Sequence, residues 1–447
     1  MARNDERDHP TGLVGGARRR RRPSDPRRRG SGVLNGAGRR RTMRDGGVRV
    51  AGSGSRLSRG ERRARLWLSA AALAAYLPLI GVPFRGWLDF SAFWTAGHVA
   101  FSRQVLDLGT ILRFQAENGL PPTPFVYPPG LALLYVPFAA LPYDLAAALH
   151  VAVTLGALIV AARLWADLIG LPRRWAVLGA LAWGPAAASV VSGQNATFVL
   201  LLAALAASGL AKAGARAPGP GFRIGFIAGL AMYKPQLGAG VTALVASRGG
   251  RWAIAGILVA GLGQYLAGVV ATGMDLGWPV AWLSTVSAYG SADYVANGWQ
   301  AISGPSIGAH LGEVTGSPIP QVIGWVAAAL FVGWAIRGIR QLPAPIAVAL
   351  AATAGLVIDP HAWIYDATLL LPAVGLIAVD ASRRGWPERD RVAVAGAFAI
   401  AAFWPFGAFI GTSLVPILVV AVPIALRRVA WGMTNPAADA DGAASRG

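Results

Sequence analysis

Residues 66–94 decide the reading of this chain. Leu66-Trp67-Leu68-Ser69-Ala70-Ala71-Ala72-Leu73-Ala74-Ala75-Tyr76-Leu77-Pro78-Leu79-Ile80-Gly81-Val82-Pro83-Phe84 is followed by Arg85-Gly86-Trp87-Leu88-Asp89-Phe90-Ser91-Ala92-Phe93-Trp94. The run Leu66–Phe84 carries no charge, and about 20 such residues cross a bilayer core as a helix. Asp89 then stands at the bilayer edge, followed by aromatic residues rather than a polar linker. A carboxylate in that position is costly without a purpose. It can act as a general base or cation ligand, or it can cap a helix starting near Phe90.

The rest of the composition agrees with a membrane chain. Of 447 residues, 54% are hydrophobic and 14% charged, where a soluble chain carries about 25% charged residues. Mean hydropathy is +0.49. Cysteine is absent, which removes disulfides, thiolate metal sites and cysteine nucleophiles. No His-x-x-x-His or Glu-x-x-His pair suggests a metal cage, so no metal or other cofactor is expected.

The net charge of +20 is concentrated at one end, since residues 1–65 hold 20 Arg against 6 acidic residues. This segment, rich in Gly, Ser and Pro, is expected to be a disordered basic tail in the cytoplasm that orients the chain and touches anionic lipid. It has no aromatic residue to stack on bases, so nucleic acid is not expected as a partner. No small-residue cleavage site follows a short apolar core, so a signal peptide is not expected. Residues 431–447 are read as a second disordered tail, leaving 66–430 as the membrane domain.

Within 66–430 the apolar runs are Leu66–Phe84, Leu131–Leu141, Leu145–Leu168, Trp175–Val191, Ala196–Ala211, Ile224–Tyr233, Leu237–Ser247, Trp252–Thr272, Ile319–Ile336, Ile346–Val357, Ala362–Val379, Val392–Phe403 and Phe406–Leu426. They predict an all-α polytopic membrane protein with roughly 11–13 membrane helices, some re-entrant or broken. Two long polar segments, 85–126 and 274–319, are expected to carry interfacial helices, two of them near 90–102 and 104–118. The positive-inside rule places Arg163, Arg173, Arg174, Lys212, Arg216, Arg223, Arg248, Arg251, Arg337, Arg340, Arg383, Arg384, Arg427 and Arg428 on the cytoplasmic side. One arrangement satisfies them all. Leu131–Leu141 must return without crossing, and Ile224–Ser247 must be a hairpin broken at Lys234-Pro235-Gln236. That arrangement brings Asp89, Tyr127, Gln194-Asn195, Lys234-Gln236, the 274–319 segment and Asp359-Pro360-His361 to the extracytoplasmic side.

Three of these positions carry the chemistry. Asp89 is the candidate base. Lys234, one of two Lys against 39 Arg, sits in an apolar stretch where a cation costs about 2.5–3.5 kcal/mol. An anion must neutralise it, and a lipid phosphate is a natural partner; otherwise it snorkels to the interface. His361 is read as opening a helix, where its ring can donate to a phosphate, with Tyr365 one turn along the same face. Asp359 beside it is read as a helix cap; Asp89, Asp359 and Asp366 are the only acidic residues that could cluster on a divalent cation, too sparse a set for metal dependence to be expected. Gln194 and Asn195 either hydrogen-bond sugar hydroxyls or form a plain polar turn. Tyr127-Pro128-Pro129 is a rigid entry into the next segment. His150 and Gln264 are read as satisfied by helix–helix hydrogen bonds.

Asp89-Phe90 with Ala96-Gly97 beyond it, Tyr127-Pro128-Pro129, Gly193-Gln194-Asn195, Lys234-Pro235-Gln236 and His361 with its flanks together resemble the GT-C membrane glycosyltransferases, most closely glycosyltransferase family 87. The resemblance implies a sugar, usually mannose, carried on polyprenyl phosphate and passed with inversion to a glycolipid or glycan acceptor. It implies Asp89 as the base, Lys234 and His361 on the donor phosphate, and Gln194, Asn195, Gln236, Tyr127 and Tyr365 around sugar or acceptor. The Ala- and Arg-rich composition suggests a bacterial plasma membrane. A transporter or flippase of lipid-linked sugars is the alternative; the absence of a visible repeat weighs against it.

Overall fold

The computed structural model describes residues 59–77, 89–212 and 216–434. The basic tail before Arg59, the end of the first expected span at 78–88 and the tail beyond Thr434 lie outside these. The molecule is an all-α polytopic membrane protein, and the described residues contain no strand, only an isolated antiparallel bridge between Ala301 and Trp363. Among the described residues five helices are long and apolar enough to cross a membrane: Tyr143–Ile169, Pro235–Ala271, Ile319–Gln341, Ile364–Arg383 and Val415–Gly432. Three apolar helices, Pro129–Ala139, Ala196–Ala211 and Ala344–Ile358, are shorter.

Several boundaries differ from expectation for identifiable reasons. The first helix starts at Arg59, inside the expected tail. The Trp175–Val191 run is split at Trp183 into Arg173–Ala182 and Gly184–Val191. Pro185 lacks the amide that would continue the first helix, and Trp183 donates its indole N–H to the Ala367 carbonyl at 3.0 Å. Phe90–His98 is covered by protein on all sides rather than lying on the surface: Phe90 through Gly97 are all buried, packed on Ala132–Ala139 in a cluster with Tyr135 and Tyr143. Its local pattern allowed a surface helix, but aromatic residues on several sides need cover all round.

The main core surrounds Ala344–Ile358, which is buried along most of its length. Leu258, Leu262 and Leu266, at four-residue spacing, are each at least half exposed. A stripe of this kind is stable against lipid tails.

The hairpin expected at Lys234-Pro235-Gln236 is present. Pro218–Leu230 ends in a 3-10 turn over Ala231–Tyr233, and Lys234 leaves helical geometry with φ −123°, ψ 78°. Pro235 opens the next helix, which runs back so that Thr242 Oγ1 donates to the Ala228 carbonyl at 2.8 Å. Gly250 then reverses the chain again with φ +69°, ψ −164°, a conformation only glycine adopts without strain. The returning segment 251–271 lies beside Pro218–Leu230, and Gln264 donates to the Gly229 carbonyl at 2.8 Å. His150 likewise reaches the Gly193 carbonyl at 2.9 Å, so both mid-helix polar residues are satisfied as expected.

Candidate active site

Asp89 occupies the N-cap position of Phe90–His98, but its side chain makes no capping bond. Its Oδ2 instead accepts from Gln194 Nε2 at 2.7 Å, and Gln194 Oε1 accepts from the Tyr127 hydroxyl at 2.7 Å. Three segments far apart in sequence therefore form one polar chain. The turn that makes it possible is Gly193, with φ +75°. A Cβ there would lie 2.7 Å from Phe90 Cβ, so only glycine lets Gln194 come up against the start of the Asp89 helix.

This chain faces a cavity of about 290 Å³, lined also by Lys234, Gln236, His361 and Tyr365 and by Trp282, Tyr289, Asp293 and Trp363. Asp89, Tyr127, Gln194, Lys234, Gln236, His361 and Tyr365 thus line one cavity. Asn195 does not join them. It is 1% exposed and absent from the cavity wall, and its carbonyl accepts from the Tyr233 hydroxyl at 2.8 Å. It directly precedes the helix Ala196–Ala211, whose packing turns it inward.

The two cationic candidates already have anions within the protein. Lys234 Nζ is 2.6 Å from Asp366 Oδ1, with both side chains buried, and Tyr365 presents its ring 4.9 Å below the ammonium. The other Asp366 oxygen accepts from the Trp363 amide at 3.1 Å. Neutralisation therefore comes from Asp366 rather than from an outside phosphate alone. A desolvated pair like this survives only because both partners are hydrogen-bonded. His361 precedes the 3-10 helix Ile364–Leu370 instead of opening an α-helix. Asp359 explains this, since its Oδ1 accepts from the His361 amide at 2.8 Å and forms a tight turn. The His361 ring is aimed by Asp293, whose Oδ2 lies 3.1 Å from Nε2. The ring also packs on Trp363 and Tyr294.

Asp293 is the site residue that sequence reading missed. Its signal was present: an acidic residue inside the aromatic helix Trp278–Asn297, where a carboxylate needs a partner. Asn297 also donates to it at 2.7 Å.

The electrostatics separate the carboxyl groups. Burial pushes Asp89 up to about 6; the Gln194 bond opposes this, the charge on Asp293 adds to it, and Lys234 lowers it. Burial also acts to raise Asp293, but bonds from His361, Asn297 and Tyr289 outweigh it and hold this carboxyl below its ordinary range. Burial, followed by the charge on Asp366, raises Asp359 well above its range. One carboxyl poised near neutrality beside another firmly ionised is an arrangement suited to proton abstraction. Among the described residues no three His, Asp or Glu side chains form a group able to hold a metal ion.

A helical membrane bundle with a cavity that gathers carboxylates, a lysine and a histidine fits the membrane glycosyltransferases of GT-C type. The family model described as Glycosyltransferase family 87 matches residues 125–360. That is more than half of the chain, which belongs to glycosyltransferase family 87. The match takes in Tyr127, Gln194, Lys234, Gln236 and Asp293; Asp89 lies before it, and His361 and Asp366 just beyond. No curated protein and no solved structure matches the chain.

Proposed function

We propose that the protein transfers a hexose, mannose being the first choice, from a polyprenyl-phosphate donor to a glycolipid or glycan acceptor at the extracytoplasmic face of a bacterial plasma membrane. The observation that carries this reading is the Asp89 carboxylate. It faces the cavity, is held by Gln194 rather than spent on a helix cap, and has an affinity for protons matched to neutral pH.

In this reading the acceptor hydroxyl gives its proton to Asp89 while its oxygen attacks the anomeric carbon. The bond from that carbon to the phosphate oxygen breaks with inversion, and its electron pair leaves on polyprenyl phosphate. His361, the more exposed of the two cationic candidates at 28% against 3% for Lys234, meets the leaving phosphate first. Lys234 contributes its charge from behind, shared with Asp366. Donors aimed at charge that develops in the transition state do the most for rate. Gln236, Tyr127 and Tyr365 offer hydroxyl and amide groups to the sugar or acceptor.

The test is transfer by the purified protein in nanodiscs, with labelled polyprenyl-phosphate mannose and a glycolipid extract as acceptor. Wild type is expected to transfer and Asp89→Asn to lose about 10²–10⁴-fold, the usual worth of a general base. Equal transfer by both removes Asp89 from the mechanism. Donor binding without transfer by either points to movement of the lipid-linked sugar across the membrane.

A further inference from the structure

A second recess lies at the other end of the bundle. The helix from Pro235 to Gly249 separates it from Lys234 by about 20 Å at 1.5 Å per residue. Its volume is about 1030 Å³, and its wall includes Lys212, Arg216, Arg248 and Arg340 with no acidic residue among the lining side chains.

The three arginines are held in place by backbone oxygen. Arg216 Nε donates to the Arg248 carbonyl at 3.1 Å. Arg248 donates through Nε and Nη2 to the Arg340 carbonyl, at 3.2 and 2.8 Å, and also to that of Leu342. Arg340 Nη2 returns a bond to the Ser247 carbonyl at 3.1 Å. These bonds fix geometry but leave the charge uncompensated. Among the described residues none of the four forms an ion pair with a carboxylate. The start of helix Ala344–Ile358, which has no side-chain cap, adds its positive end to the same wall. Leu168 and Leu210 add apolar surface to the lining. Positive charge with apolar flanks matches a phosphodiester whose chains continue into the bilayer, and guanidinium groups suit phosphate oxygens.

We infer that this recess binds the phosphate-bearing headgroup of an anionic membrane lipid, at a site separate from the catalytic cavity and independent of which sugar is transferred. The positive-inside rule alone scatters cations near helix ends; it does not require four to converge on one hollow.

Native mass spectrometry of the full chain in detergent tests this. Three probes are titrated separately: phosphatidylglycerol, phosphatidylcholine and inorganic phosphate. Wild type is expected to retain phosphatidylglycerol at least tenfold more tightly than phosphatidylcholine. The Lys212→Gln/Arg216→Gln variant changes two exposed side chains and is expected to lose about tenfold or more of that preference, near the worth of two cations at a membrane surface. Adding Arg340→Gln should deepen the loss. If that triple variant melts early, the double variant alone carries the comparison. Equal retention by wild type and the double variant overturns the site, as does phosphatidylcholine held as well as phosphatidylglycerol. Inorganic phosphate that binds as tightly as the lipid and displaces it overturns the lipid assignment in favour of a free anion.

Discussion

Asp89 is exposed to a tug between burial and its neighbours, and the pH dependence of the reaction should report it. The base must be ionised to act, and the proton affinity that burial has raised is lost only above about pH 6. The value of kcat/KM for the acceptor, measured by initial rates of sugar transfer at saturating donor, is therefore expected to fall about tenfold per pH unit below 6 and to level off above it. Asp293 is a positioning residue within the same field. Asp293→Asn removes the anion that aims His361 and one charge that raises Asp89. The expected result is a roughly tenfold fall in kcat/KM, about 1.4 kcal/mol, with the acidic limb moved to lower pH. A merely structural role for Asp293 would leave that limb in place. The pair Lys234–Asp366 belongs to stability as much as to chemistry. Lys234→Met leaves a buried carboxylate uncompensated and is expected to cost about 3–5 kcal/mol, read as a fall in melting temperature, whereas the double change with Asp366→Leu should recover part of it.

At the scale of elements, much was legible because the cues were local. The helix Ala196–Ala211 has the bounds its apolar run implied, and Pro235 broke the chain where a missing amide must break it. What was not legible depended on distant partners. Lys234 and Asp366 are separated by 132 residues, and nothing near either names the other. The Phe90–His98 helix has aromatic residues that a surface or a core would both accept; only Ala132–Ala139 lying over it decides. Trp183 broke a run that hydropathy reads as continuous. Gly193 carries an element-scale prediction. Gly193→Ala combines a left-handed backbone costing about 1–2 kcal/mol with a clash against Phe90. Lower thermal stability is expected together with a loss of transfer larger than the stability change explains, since Gln194 is carried away from Asp89.

For the whole molecule the orientation is open to direct measurement, because the natural chain has no cysteine and single thiols report unambiguously. Met274 and Val314 are 72% and 66% exposed in the segments on the cavity side; Arg174 is exposed at the start of the helix Arg173–Ala182. With Met274→Cys and Val314→Cys, a membrane-impermeant maleimide is expected to label intact cells. With Arg174→Cys it should label only after lysis. The reverse pattern would place the cavity in the cytoplasm.

The cavity sets Asp89 and Asp293 on its wall, with Asp366 paired to Lys234 behind it, against one ammonium and one imidazole. A phosphate-bearing donor entering that company brings more negative charge than the cations can absorb. Its arrival should then be paired with proton uptake from the medium, visible in calorimetry as a binding heat that changes with the ionisation enthalpy of the buffer. Donor affinity would strengthen as pH falls, while the base needs pH to rise. The two demands cross, and a rate measured at subsaturating donor should pass through a maximum rather than a plateau.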